Sequence, residues 1–209
     1  MAVWLQAILT LAPAAQCQQL AEWLEHRGRQ DLTTGGGQLW GLWEGRSGLG
    51  FGSDEAILMS VWPDDASAGA AVELMKAMPG VLAVAGTPLH PTLRPQHDHP
   101  AAGGGSWVFR EFHLAATDIE AFLERSAAAW EGFEATFDSE VVGLFRGPNL
   151  DGETASLLLI TRYADLDAWE KSRNADAAPG AWQQLSERHA LTRWTRARSA
   201  TRRPLPGEQ

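Results

Sequence analysis

The chain alternates short stretches of period-two apolar residues with longer stretches of helical period, and it does so twice in the same order. In the second half, Trp107 to Leu114 is rich in aromatic and branched residues and predicts a strand. Thr117-Asp-Ile-Glu120 reads as a capping box. Ile119, Phe122, Leu123, Ser126, Trp130, Phe133 and Phe137 then recur at three- and four-residue steps, an apolar stripe that must pack on a sheet. Strands at Glu140 to Arg146 and Ala155 to Tyr163 flank Gly147-Pro-Asn-Leu-Asp-Gly152, whose residues suit a hairpin connection. A second helix starts near Asp165, with Asp167-Ala-Trp-Glu170 as a further capping box, is interrupted by Pro179-Gly180 and resumes to about His189. A strand at Leu191 to Arg198 ends the half.

The first half follows the same order: a strand at Val3 to Leu11, a helix from Pro13 to about Arg29, strands at Gln38 to Glu44 and Glu55 to Trp62, a helix at Asp65 to Met78 and a strand at Val81 to Pro88. The halves also share local sequence. Gln38-Leu-Trp-Gly-Leu-Trp-Glu-Gly45 is echoed by Glu140-Val-Val-Gly-Leu-Phe-Arg-Gly147. Strand, helix, strand, strand, helix, strand is the ferredoxin-like βαββαβ order, a four-stranded antiparallel sheet with helices on one face. The expected fold is therefore α+β, two tandem ferredoxin-like repeats whose uncovered sheet faces pack into an intrachain barrel of the dimeric type. The boundaries read as 1–88 for the first repeat, 89–105 for a Pro- and Gly-rich linker, 106–199 for the second repeat and 200–209 for a tail.

Composition narrows the partners. A net charge of −9 opposes general binding to nucleic acid or an anionic membrane. The lone cysteine, Cys17, excludes an internal disulfide and reads as a small buried hydrophobe. The first seventeen residues imitate a short export signal but lack its positive leading region, and the repeat aligns them with Trp107 to Leu114, so they are read as a first strand of a cytoplasmic protein. No apolar stretch approaches the length that spans a bilayer. The expected assembly is a monomer that is its own pseudo-dimer, or a homodimer.

Three further segments resemble a known group: Ala56-Ile-Leu-Met-Ser-Val-Trp62 followed by Asp64, Leu157-Leu-Leu-Ile-Thr-Arg-Tyr163 followed by Asp165, Trp169 and Ser172, and Val108-Phe-Arg-Glu-Phe112. They resemble the dimeric α+β barrel superfamily, in particular the antibiotic-biosynthesis-monooxygenase-like and NIPSNAP-like proteins. That resemblance implies a monooxygenase-like activity. Haem-degrading relatives are similar in having a tryptophan at the end of the third strand, which Trp62 matches, and a histidine on the second helix, which His189 approximates. Their first-strand asparagine has no counterpart here.

Alternation along the strands divides the faces. Leu5, Ala7, Leu9 and Leu11, with Val108, Arg110, Phe112 and Leu114, form a mostly aliphatic set for packing under helices. Trp4 and Gln6 with Trp107, Phe109, Glu111 and His113 fall on the other, mixed face, and Ser60, Trp62, Thr161 and Tyr163 are assigned to it as well. The expected site is an aromatic cavity there, with Trp4, Trp62, Trp107, Phe109, Thr161, Tyr163 and Arg162 contacting a small aromatic or hydrophobic substrate. Glu111 and His113, two apart on one strand, are the candidate proton-moving pair, and Arg162 or Arg110 is placed to stabilise an anion. His97-Asp98-His99 has metal-ligand residues but no rigid scaffold, so no metal is expected. The reading is a small-molecule-binding barrel protein, at its furthest a cofactor-independent monooxygenase or isomerase. The alternatives are a haem-binding barrel, with His113 or His189 as axial ligand, and a non-catalytic binding or stress-related module.

Overall fold

The computed structural model describes residues 2–13, 17–99 and 101–204. Residues 14–16 of the helix expected from Pro13, Pro100 of the expected linker and 205–209 of the expected tail lie outside the described residues. The first repeat contains β1 (Val3–Leu11), α1 (Cys17–Trp23), a π-helical turn at Leu24–Gly28, α2 (Arg29–Thr34), β2 (Gln38–Gly45), β3 (Glu55–Trp62), α3 (Asp65–Lys76) and β4 (Val81–Arg94). The second contains β5 (Ser106–Ala115), α4 (Ile119–Phe137), β6 (Ser139–Arg146), β7 (Thr154–Tyr163), α5 (Leu166–Lys171), α6 (Pro179–Ala190) and β8 (Thr192–Arg203).

The chain divides into two compact units. The strand order is β4-β1-β3-β2 in the first and β8-β5-β7-β6 in the second, so each has the fourth-first-third-second order of a ferredoxin-like sheet. The fold is α+β with antiparallel pairing. Two strands run further than their composition predicts. β4 continues through the first part of the expected linker, and its end belongs to the second unit, where the Thr92 hydroxyl donates to the Leu144 carbonyl at 2.6 Å. β8 continues into the expected tail, and its last residues pair with β2 in the first unit, Ala200 opposite Gly45 and Arg203 opposite Leu42. Proline marks a linker only on average, since a strand tolerates it wherever its nitrogen is not needed by a neighbour.

The shared Gly41 and Gly143 explain the repeated octapeptide. Each sits at a register shift in its ladder, and a Cβ there would meet the ring of Trp43 at 2.3 Å or of Phe145 at 2.4 Å. The glycine lets an aromatic ring two residues on lie across the bulged backbone. A second shared device starts the second helix of each unit. Asp64 accepts from the Ser67 N–H and Asp165 from the Ala168 N–H, both at 2.8 Å. Neither expected capping box forms. Thr117 lies in a 3-10 turn, and Asp167 pairs instead with Lys171 at 2.6 Å. Pro179 opens α6 rather than breaking a helix, and the interruption lies before it, at 172–178.

Register decides what faces the helices. In the second unit Tyr163 lies opposite Ser106, Thr161 opposite Val108, Leu159 opposite Arg110 and Leu157 opposite Phe112. Directly opposed residues share a face, so Thr161 and Tyr163 point under the helices with Val108, Arg110 and Phe112. The first unit has the same parity, Trp62 opposite Val3 and Ser60 opposite Leu5. This corrects the expectation that Ser60, Trp62, Thr161 and Tyr163 face with Trp4 and Trp107. Pairing parity is set by register, and strand sequences taken separately do not carry it.

Candidate functional site

The helix-facing side of the second sheet is not fully filled. A cavity of about 140 Å³ lies between β5, β6 and β7 and the helices α4, α5 and α6. Val108, Arg110 and Phe112 supply one wall from β5, and Leu159, Thr161 and Tyr163 another from β7. Trp130, Phe133, Trp169 and Trp182 line it from the helices. Ser172 and Arg173, at the break between α5 and α6, and the exposed His189 place its mouth at the surface.

Its charged groups are of one sign. Arg188 is 8% exposed, and its guanidinium lies 5.1 Å from the centre of the Phe112 ring and 5.2 Å from that of Phe122. Its one hydrogen bond is a long one, 3.4 Å from Nη1 to the Ser126 hydroxyl, which itself donates to the Phe122 carbonyl. Burial, and then Arg110, push the Arg188 guanidinium down to about 10. Arg110 is also lowered, chiefly by burial, and forms no hydrogen bond or ion pair among the described residues. Arg173 stacks on Trp169 at 4.8 Å and has a loose, exposed contact with Glu170 at 3.9 Å. Tyr163 is raised by burial, against the opposing pull of the Ser172 hydroxyl and of Arg110, Arg188 and Arg173.

No acid lines the cavity among the described residues, and three buried donors on its lining residues lack an acceptor: Arg188 Nε, Trp130 Nε1 and Trp182 Nε1. An unpaired buried donor costs about 1–3 kcal/mol, more when charged. Such a wall is suited to a ligand that brings acceptors and negative charge.

The other expected site residues lie elsewhere. Trp4, Trp107 and Phe109 are buried on the sheet face turned away from the helices. Arg162 pairs with Glu140 across the β6–β7 ladder at 3.1 Å. Glu111 is ion-paired with the buried Arg198, and its backbone carbonyl accepts from the Thr195 hydroxyl at 2.9 Å. His113 stacks on the exposed Trp194, ring centres 4.5 Å apart. The expected Glu111–His113 pair is thus held by β8, and neither residue lines the cavity. Trp62 donates from its indole to Ser60 at 2.7 Å within the first unit's core. No group of three or more His, Cys, Asp or Glu among the described residues is placed to hold a metal.

Size alone does not single out this cavity. A larger one, about 250 Å³, lies between α1, α2 and α3, but its charged lining residues Arg27 and Asp31 pair with each other at 3.7 Å. Another, beside Cys17, contains Glu44 already ion-paired with Arg203, and burial pushes the Cys17 thiol up to about 12, far from a nucleophile.

The cavity and its polar wall lie in the repeat that matches a family model. Residues 107–205 match the NIPSNAP family model. No curated protein matches the chain. Solved structures similar to nearly the whole chain include a chlorite dismutase variant from Candidatus Nitrospira defluvii, 9% identical with a TM-score of 0.64, covering 97% of this chain and 91% of that one. A protein from Lactobacillus acidophilus NCFM, described as a monooxygenase by assignment, is 14% identical with a TM-score of 0.57, covering 96% and 93%. A heme-binding protein from Thermus thermophilus is 8% identical with a TM-score of 0.55, covering 98% and 92%. At these identities the likeness shows the fold alone, that of dimeric α+β barrel proteins.

Haem can be tested against the NIPSNAP-like repeat directly. Drug-sized ligands occupy about 300–1,000 Å³, and 140 Å³ is well below the space a tetrapyrrole needs. The one lining imidazole, His189, is exposed with Nδ1 3.4 Å from the Thr192 hydroxyl. The residues that line this cavity do not fit haem. No helix of the described residues is long and apolar enough to cross a membrane.

Proposed function

We propose that the NIPSNAP-like repeat binds a small organic anion with a one-ring aromatic or hydrophobic body, and that this is a cofactor-independent oxygenase or isomerase site. The observation that carries the reading is the set of buried donors without acceptors around a cavity that no acid lines. Size supports a single ring, because an engineered apolar cavity of about 150 Å³ takes up benzene. Trp130, Phe133, Trp169 and Trp182 contact the ring, and Arg110 and Arg188 meet the anionic end.

The chemistry follows from the same charges. An enol or phenol bound here is held toward its anion, the electron-rich form that such reactions require, because two desolvated guanidinium groups stabilise negative charge at low dielectric. Tyr163, raised by burial, stays protonated and donates to the developing oxyanion. His189 at the mouth is the residue positioned to exchange a proton with solvent.

Tryptophan fluorescence titration with benzoate tests the binding step. The expected result is a saturable change at one equivalent per chain that is lost in Arg188→Met. A flat response to benzoate, with no accompanying rise in Tm, would remove the reading.

A further inference from the structure

We propose that the natural ligand of this site carries two negative charges, as an aromatic dicarboxylate or an aryl phosphate does. The inference rests on the anion-binding reading and adds its valence.

Arg188 is buried among Phe112, Phe122 and Ser126, and Arg110 shares the cavity with it. Neither has an acidic partner among the described residues. A ligand with one charge leaves one of the two guanidinium groups uncompensated in a low-dielectric site, the arrangement that proteins avoid most strongly. Two negative charges neutralise both. Arg173 extends the row toward the mouth. Its contact with Glu170 is long and exposed, so it is weak enough to exchange for a ligand group. A dicarboxylate would set one carboxylate against Arg110 and the other against Arg188, with Arg173 beside them at the mouth. A phosphate monoester would place both at the inner pair, where planar guanidinium groups meet phosphate oxygens in bidentate fashion.

The test compares benzoate, phthalate and phenyl phosphate with neutral benzamide, by fluorescence titration of the whole chain at neutral pH. Phthalate or phenyl phosphate should bind at least about tenfold more tightly than benzoate, and benzamide most weakly. Which dianion is tighter separates the carboxylate source from the phosphate source. For phenyl phosphate the advantage should shrink below about pH 6, where the second phosphate proton returns. In Arg110→Met, dianion and monoanion should bind with similar affinity. Benzoate binding as tightly as both dianions would overturn the valence assignment while leaving the anion site standing. Absence of binding by all four probes would overturn the anion site and this inference with it.

Discussion

Replacing Arg188 with methionine should stabilise the folded chain and abolish binding of the anion. Met keeps the unbranched stem that fills the space beside Phe112 and Phe122, and removes the guanidinium. The fall of Arg188 from the ordinary arginine value to about 10 corresponds to about 3 kcal/mol, at about 1.4 kcal/mol per pH unit. At 8% exposure there is little solvent screening to discount. The sign is that of a base with a depressed value: the charged form is disfavoured in the fold, so the cost is complete below pH 10 and is relieved as pH rises toward the ordinary arginine value. At neutral pH the wild type therefore bears all of it.

Two losses oppose the gain. The contacts with Phe112 and Phe122 contribute about 0.5–1 kcal/mol each. The 3.4 Å contact with Ser126 adds little, since that hydroxyl keeps its bond to the Phe122 carbonyl. The net expectation is stabilisation by about 1–2 kcal/mol, or about 3–6 °C in Tm for a chain of this size. Urea denaturation at pH 7 should show a higher midpoint with an unchanged slope. Benzoate, which should raise the wild-type midpoint by linkage, should leave the variant's unmoved. A variant that is less stable and still binds benzoate would refute the argument, because Arg188 would then be a structural cation with a partner.

Other substitutions separate the cavity from the groups outside it. Glu111→Gln removes the carboxylate beside buried Arg198 and should cost about 2 kcal/mol, discounted for the 27% exposure of Glu111, while leaving benzoate affinity unchanged; His113→Phe should likewise leave that affinity unchanged, and a large loss in either variant would return the site to β5's other face. Tyr163 is the only tyrosine, so its titration can be followed by absorbance without ambiguity. The phenol should ionise above 10.0, and higher still with benzoate bound; because its folded value is raised, the stability it lends is complete below pH 10 and is lost as pH rises through that value. A midpoint at the ordinary value would contradict its burial. Haemin added to the purified chain should give no saturable Soret change, and a stoichiometric shifted band would show that the cavity opens far beyond its present size.

Local signals carried most of the architecture. The stripe from Ile119 to Phe137 is the buried face of α4, and the octapeptide repeat marks the two bulged strands. The site was harder to read. One signal was present: Arg110 is the single charge in the otherwise apolar set Val108, Phe112 and Leu114, and its counterpart in the first strand is Ala7. Arg188 gave none, because an arginine near the C-terminal end of a helix is ordinarily solvated and favourable there. Only tertiary packing of α6 on α4 buries it. For Tyr163 the sequence marks the residue but not its face, because a single-residue change of pairing parity exchanges the two faces of a strand.

The two repeats differ at the place where the proposed site lies. Where the second has Arg110 and Tyr163, the first has Ala7 and Trp62, and there the indole fills the helix-facing side, satisfied by Ser60 and lying against Gly37. Its second helix, α3, is one continuous element. In the second repeat the corresponding helix is split at 172–178, and the break supplies Ser172 and Arg173 to the cavity mouth. Splitting the helix gives up backbone hydrogen bonds, and burying Arg110 and Arg188 adds a charge cost, so neither change improves the fold by itself. Both occur in one repeat, around one cavity, while in the first the corresponding position under the helices is filled by the Trp62 indole. That coincidence is what a binding site produces: stability is relinquished where the ligand restores it, and only there.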